Sequence, residues 1–237
     1  MDNVDGVFFI SSALKIVNKS VSVYSDEERF QHTLKTIETI DKHCPSNLKY
    51  MYETSAELPN EDYLKELSEK GVKIIWTGSD PNVKHFSTVG LRSPAESLSF
   101  YHILSWFKDN DKQNVKAKRL YKISGRYWIN DNFILKDKRF KDSFVYNKAA
   151  DSYMPIERRN ETGAHKAYST RLFHMDYNLF DKFHGILPEV VNDCLKYGID
   201  VEHSYWKHLH LNKFNVVELT KIGIEGWIAP LGIFEDD

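Results

Sequence analysis

Short β-type runs alternate with amphipathic helical stretches through residues 1–125, and few folds accommodate that order. Val7-Phe8-Phe9-Ile10 is an unbroken apolar run of strand length that ends in the polar pair Ser11-Ser12. From Asp26 to about His43, Phe30, Leu34 and Ile37 recur at the spacing of one helical face with charges between them, and Pro45 closes the stretch. Leu48 to Tyr52 predicts a second strand, Glu61 to Lys70 a short helix stopped by Gly71, and Val72 to Trp76 a third strand. Asp80-Pro81 reads as a turn. Ser93-Pro94-Ala95-Glu96 has the spacing of an N-cap serine, a first-turn proline and a glutamate at the third helical position. It opens an apolar-rich helix through Phe107, after which Leu120 to Ile123 is a fourth strand. Strand–helix alternation of this kind implies parallel strands joined by right-handed crossovers. The expectation for 1–125 is a Rossmann-like, nucleotide-binding half.

Residues 126–237 are less regular. Phe144 to Lys148 and Tyr168 to His174 read as strands around a polar loop, Asp151 to Lys166, that carries Arg158-Arg159. Helical patterns return at Leu179–Phe183, Leu187–Tyr197 and Val201–Leu211, and Val216–Leu219 and Ile222–Ile228 read as late strands. No Pro/Gly/Ser linker divides the 237 residues, so the expected architecture is one α/β domain with a mixed central sheet flanked by helices. Apolar residues at 41% and charged residues at 28% exclude a disordered chain. Lys plus Arg (32) nearly cancel Asp plus Glu (34), without the basic surplus of a nucleic-acid binder. Two cysteines, Cys44 and Cys194, are too few for a disulfide framework or a structural zinc site. The opening MDNVDGVFFISSALK is acidic ahead of a short apolar run, the reverse of a secretion signal, and no segment has the length of a membrane span. The expected compartment is the cytoplasm.

Ligands of open α/β sheets sit at the carboxyl ends of strands, where the strand order reverses. The candidates are therefore Ser11 and Ser12, Glu53 to Ser55, Thr77 to Asp80, and Ser124 to Tyr127. G-x-G-x-x-G after the first strand, G-x-x-x-x-G-K-[ST] and G-x-S-x-G are all missing. That argues against a nicotinamide dehydrogenase, a P-loop nucleotidase and an α/β-hydrolase.

Three stretches resemble the GT-A fold of nucleotide-sugar-dependent glycosyltransferases, particularly bacterial or viral enzymes that build surface polysaccharide. They are FFISSALK with the following helix ERFQHTLKTIETI, LYKISGRYWINDNF at 120–133, and GIDVEHSYWKHL at 198–209. The resemblance implies a GT-A-like sheet, a nucleotide-sugar donor and a carbohydrate acceptor, with 1–125 as the nucleotide-binding half and 126–237 as the acceptor and catalytic half. It also implies a metal-binding aspartate pair after the fourth strand, where this chain instead reads Lys122-Ile123-Ser124-Gly125-Arg126-Tyr127. A hard cation beside phosphates wants neighbouring carboxylates, and Asp131 stands alone a few residues later. A guanidinium neutralises a diphosphate through paired charge-assisted hydrogen bonds instead. The reading is thus Arg126 on the leaving diphosphate without Mn²⁺ or Mg²⁺, assisted by Lys122 or by an arginine of the Arg158-Arg159 loop. A structural salt bridge is the equal alternative for Arg126.

Within the same resemblance, Glu202 at the start of the last long helix is the candidate base for the acceptor hydroxyl, and Asp200 the cap or a second carboxylate. Ser11 and Ser12 are candidates to meet the nucleoside, or simply form a turn, and Glu53 to hold the ribose or base. Tyr127 and Trp128 flank the phosphate position, whereas Lys84 and Arg92, flanking the capped helix, are candidates to face phosphate that read sooner as solvated surface charge. His203, His208 and His210 lack metal-ligand spacing and read as surface or capping residues. A nucleotidyltransferase and a non-catalytic carbohydrate- or partner-binding module are the competing classes.

Overall fold

The computed structural model describes residues 2–18, 22–228 and 231–236. Four strands of the amino-terminal half, β1 (Asp2–Ser12), β2 (Asn47–Glu53), β3 (Val72–Trp76) and β4 (Val115–Ser124), share one seven-stranded sheet with β6 (Phe144–Asn147), β9 (Leu172–Asp176) and β10 (Val216–Leu219). The order is β10-β6-β9-β4-β1-β2-β3. Strands β1 to β4 pair in parallel as expected, and β10 is parallel to β6. Strand β9 runs antiparallel to both β4 and β6 and makes the sheet mixed.

The run Val7–Ile10 is apolar throughout because β1 lies inside this sheet, between β4 and β2, and is covered on both faces. Side chains alternate across a strand. Val7 and Phe9 accordingly face one core, with α4 (Arg92–Asn110), α6 (Phe180–Tyr197) and α7 (Val201–Leu211). Phe8 and Ile10 face the other, with α1 (Asp26–His43), α2 (Glu61–Glu69) and the small antiparallel sheet of β5 (Tyr127–Ile129), β11 (Ile224–Ile228) and β12 (Ile233–Asp236). Helix α1 has the expected limits. Its start is fixed by a reciprocal cap in which Glu28 N donates to Ser25 Oγ at 3.2 Å and Ser25 N to Glu28 Oε2 at 2.8 Å.

Several expectations are corrected. Asp80-Pro81 is a helix start: Asp80 accepts from Asn82 N and Val83 N and caps α3 (Pro81–Val89), with Pro81 at the first helical position. Helix α3 ends at Gly90, whose φ of 83° turns the chain directly into α4. Because Leu91 is the N-cap of α4, Ser93 sits inside the first turn and caps nothing. The polar loop is structured, with α5 (Ile156–Thr162) framed by the paired two-residue strands β7 (Ala150–Asp151) and β8 (Lys166–Ala167). Residues 168–171 precede β9 instead of belonging to it, the two patterns at 179–197 form the single helix α6, and β12 has no counterpart among the expected strands.

Candidate active site

The chain steps outward from β1 to β2 and β3, then returns to pair β4 on the other side of β1. Strand order therefore reverses between β1 and β4, the place where an open α/β sheet forms a crevice. A cavity of about 150 Å³ lies there, walled by Ser11 and Ser12 from β1, Ser124 and Arg126 from the end of β4, Arg29 from α1 and Arg92 from α4. Ser11 Oγ and Ser124 Oγ meet at 3.3 Å across the switch point.

Two guanidinium groups set the electrostatics of this chamber. Arg126 makes no ion pair among the described residues, and its buried Nε has no hydrogen-bond partner. The salt-bridge alternative for Arg126 is therefore not realised. Burial lowers its pKa, Tyr127 and Glu96 oppose the shift, and Arg92 adds to it. Arg29, 4% exposed, is pulled down to about 9 by burial and then by Arg126, against the weaker pull of Glu53 and Asp26. Its donors go to Ala13 O and, at 3.1 Å, to Ser22 Oγ. Arg29, held among the described residues only by neutral oxygens and lying beside an Arg126 whose buried Nε has no partner, leaves an unmet demand for negative charge.

A second, larger cavity of about 710 Å³ shares Gly90, Arg92, Glu96, Ser124 and Arg126 with the first. Its far wall carries Asp200 and Glu202 from the start of α7, together with Tyr153 and Thr170. Glu202 Oε1 accepts from Thr170 Oγ1 at 2.8 Å. Burial, then the neighbouring Glu96 carboxylate, raises the Glu202 pKa above the usual carboxylate range. Asp200 occupies the N-cap position of α7, but its side chain makes no capping bond and accepts from the Tyr153 hydroxyl instead.

The two chambers bring together Ser11, Ser12, Arg126, Tyr127, Asp200 and Glu202, and leave out three other expected site residues. Lys122 is 2% exposed and lines neither chamber; its ammonium donates to Glu96 Oε1 at 2.5 Å, Thr170 O at 2.5 Å and Ser124 Oγ at 3.3 Å. All three of its donors are thereby engaged. Glu53 is fully buried, and its carboxylate accepts from Leu14 N, Ser55 N and Ser55 Oγ, which fastens the loop after β1. Asp131 is on the surface beside Lys42 and His43. After β4, where the resemblance implies metal ligands, Arg126 forms part of the cavity wall, and the described residues gather no group of three His, Cys, Asp or Glu side chains. Trp128 donates to Glu225 under the Lys35 ammonium, outside both cavities.

Arg29, Glu96 and Tyr153 line the chambers without having been singled out for them by the sequence, and Arg92, read there as phosphate-facing or solvated, lines both. Glu96 carried a signal of its own, but one that reads as helix capping. His203 and His208 are buried rather than superficial, hydrogen-bonded to Ser152 and Asp193 at 2.9 Å each. Both cysteines are buried free thiols, pushed up to about 12 by burial. No helix among the described residues is long and apolar enough to cross a membrane.

No family model matches the sequence, and no curated protein matches it. Among solved structures the chain is similar to a glycosyltransferase involved in the glycosylation of the major capsid of PBCV-1. The TM-score is 0.41 at 6% identity, over 91% of this chain and 81% of that one.

Proposed function

We propose that the chain is a glycosyltransferase that moves a sugar from a nucleoside-diphosphate donor to a hydroxyl of a carbohydrate acceptor. The observation that carries this reading is the Arg126 guanidinium, without an ion pair among the described residues and with an unpartnered buried Nε, on the wall shared by a cationic chamber and a carboxylate-bearing one. The smaller chamber takes the nucleoside diphosphate between Ser11, Ser12 and the arginines, and the larger takes the acceptor. Residues 1–125 thus supply most of the nucleotide wall and 126–237 most of the acceptor wall, within one domain. The bond between the anomeric carbon and the diphosphate oxygen breaks, and its electron pair leaves with the diphosphate, whose charge Arg126 meets. The acceptor oxygen bonds to that carbon and its proton passes to Glu202, whose basicity burial raises above that of an ordinary carboxylate.

Melting curves with UDP, GDP, CDP and TDP, free and sugar-linked, with and without chelator, test the reading. A clear stabilisation by one nucleotide, retained in chelator, is expected. No response to any of them would overturn the proposal, and complete loss in chelator would overturn its metal-free form.

A further inference from the structure

Glu96 lines both chambers, on the partition where the diphosphate of one meets the acceptor space of the other. It projects from the first turns of α4, and a cap function leaves its position unexplained because that helix starts at Leu91 without a side-chain cap. Its carboxylate is fixed by Lys122, which is almost fully buried in β4. The same ammonium holds the Thr170 carbonyl, and the Thr170 hydroxyl holds Glu202. One buried cation therefore ties two cavity carboxylates on different helices into a single chain of contacts: Glu96, Lys122, Thr170, Glu202.

A reacting anomeric carbon gains positive charge as the diphosphate departs, and a fixed anion beside it lowers the energy of that state. Accepting the transferase reading, we propose that Glu96 is a second catalytic carboxylate, stabilising the cationic anomeric centre opposite the arginines, and that Lys122 is the positioning residue that sets its distance from Glu202. Lys122 holds the Glu96 carboxylate at the partition while Glu202 takes the proton. The groups that interact electrostatically with Glu202 are Glu96 on α4, Asp200 at its own N-cap, Cys194 on α6, Tyr146 on β6 and Tyr205 on α7. The thiol and the two phenols are pushed up by burial and stay neutral near pH 7, so Glu96 is the anion that faces Glu202 from another element.

Glu96→Gln preserves shape at a partly exposed position, and its test is hydrolysis of the nucleotide sugar that gives the largest melting shift. In that reaction a water oxygen replaces the acceptor oxygen at the anomeric carbon and its proton goes to Glu202. The expected result is a kcat about 100-fold lower or less, nucleoside-diphosphate affinity within threefold of the parent, and an acid limb of the kcat profile moved to lower pH. The limb moves down because a like charge leaves the side of Glu202. Lys122→Met gives the same kcat loss, and Lys122→Arg restores part of it; should Lys122→Met fail to fold, Glu96→Gln decides alone. A Glu96→Gln enzyme with parental kcat and an unmoved limb overturns the inference while leaving the transferase reading intact. A parent protein that neither binds nor hydrolyses any donor overturns both.

Discussion

Arg126 illustrates how a single side chain separates a binding site from a structural contact. A guanidinium whose buried Nε lacks a partner weakens the ligand-free fold, because the lost hydration of that group is not repaid by a hydrogen bond. Arg126→Met is expected to raise the ligand-free stability by about 1–3 kcal/mol, read as a melting point several degrees higher. The same variant should weaken nucleoside-diphosphate binding about 10- to 100-fold, as loss of a charge-assisted pair costs about 1.5–3 kcal/mol. A structural arginine would give the opposite sign in the first measurement. Glu202 yields a pH test. Its folded-state pKa lies above the unfolded value, so its ionisation burdens the fold increasingly as pH rises from the ordinary carboxylate range towards the raised one. Glu202→Gln should therefore melt higher than the parent at neutral pH, lose that advantage below about pH 4, and transfer no sugar while still binding donor.

Elements place these side chains, and the elements differ in how far the sequence reveals them. Helix α1 was legible because Phe30, Leu34 and Ile37 repeat over about two turns and Pro45 follows its end, all local signals. The start of α4 was misread because Ser93-Pro94-Ala95-Glu96 imitates a cap, whereas Gly90 joins α3 to α4 two residues before Arg92. Asp80-Pro81 has the same chemistry in a turn and at a helix start, so only the following residues' packing distinguishes them. Strands β5, β11 and β12 are three to five residues long, and β5 pairs with β11 across about 100 positions of sequence, which leaves periodicity little to act on. Their pairing matters for the site. Gly226 lies opposite Tyr127, and a Cβ there would stand 2.4 Å from the Arg126 carbonyl oxygen. Gly226→Ala should cost about 1–3 kcal/mol by overpacking and weaken diphosphate binding by displacing Arg126, as denaturant titration and calorimetry would read. Glu53→Ala should cost on the order of 3 kcal/mol in the same titration, since it strands the buried amides of Leu14 and Ser55.

At the scale of the whole molecule, the switch point between β1 and β4 gathers charges that no local pattern connects. Arg29 sits beside Phe30 among the charges between the apolar positions of α1, and only the return of β4 past β1 brings it near Arg126, 97 positions later in the chain. Ser11, Ser12 and Arg126 were legible because strand ends are where such folds bind; Glu96 and Arg29 were not, because helix positions carry no equivalent rule. The protein has a formal charge of −2, so attraction of an anion must come from this local cluster and not from the overall field. Nucleoside diphosphate at 100 times its Kd should stabilise the fold by about 2.7 kcal/mol, or about 5–10 °C for a chain of this size. Raising salt from about 50 to 500 mM should weaken binding only severalfold, since buried charges are screened far less than exposed ones. A surface patch of lysines would lose nearly all of its affinity over that range. Steep salt dependence, together with an undiminished shift in Arg126→Met, would move the anion site out of the chamber and onto the protein surface.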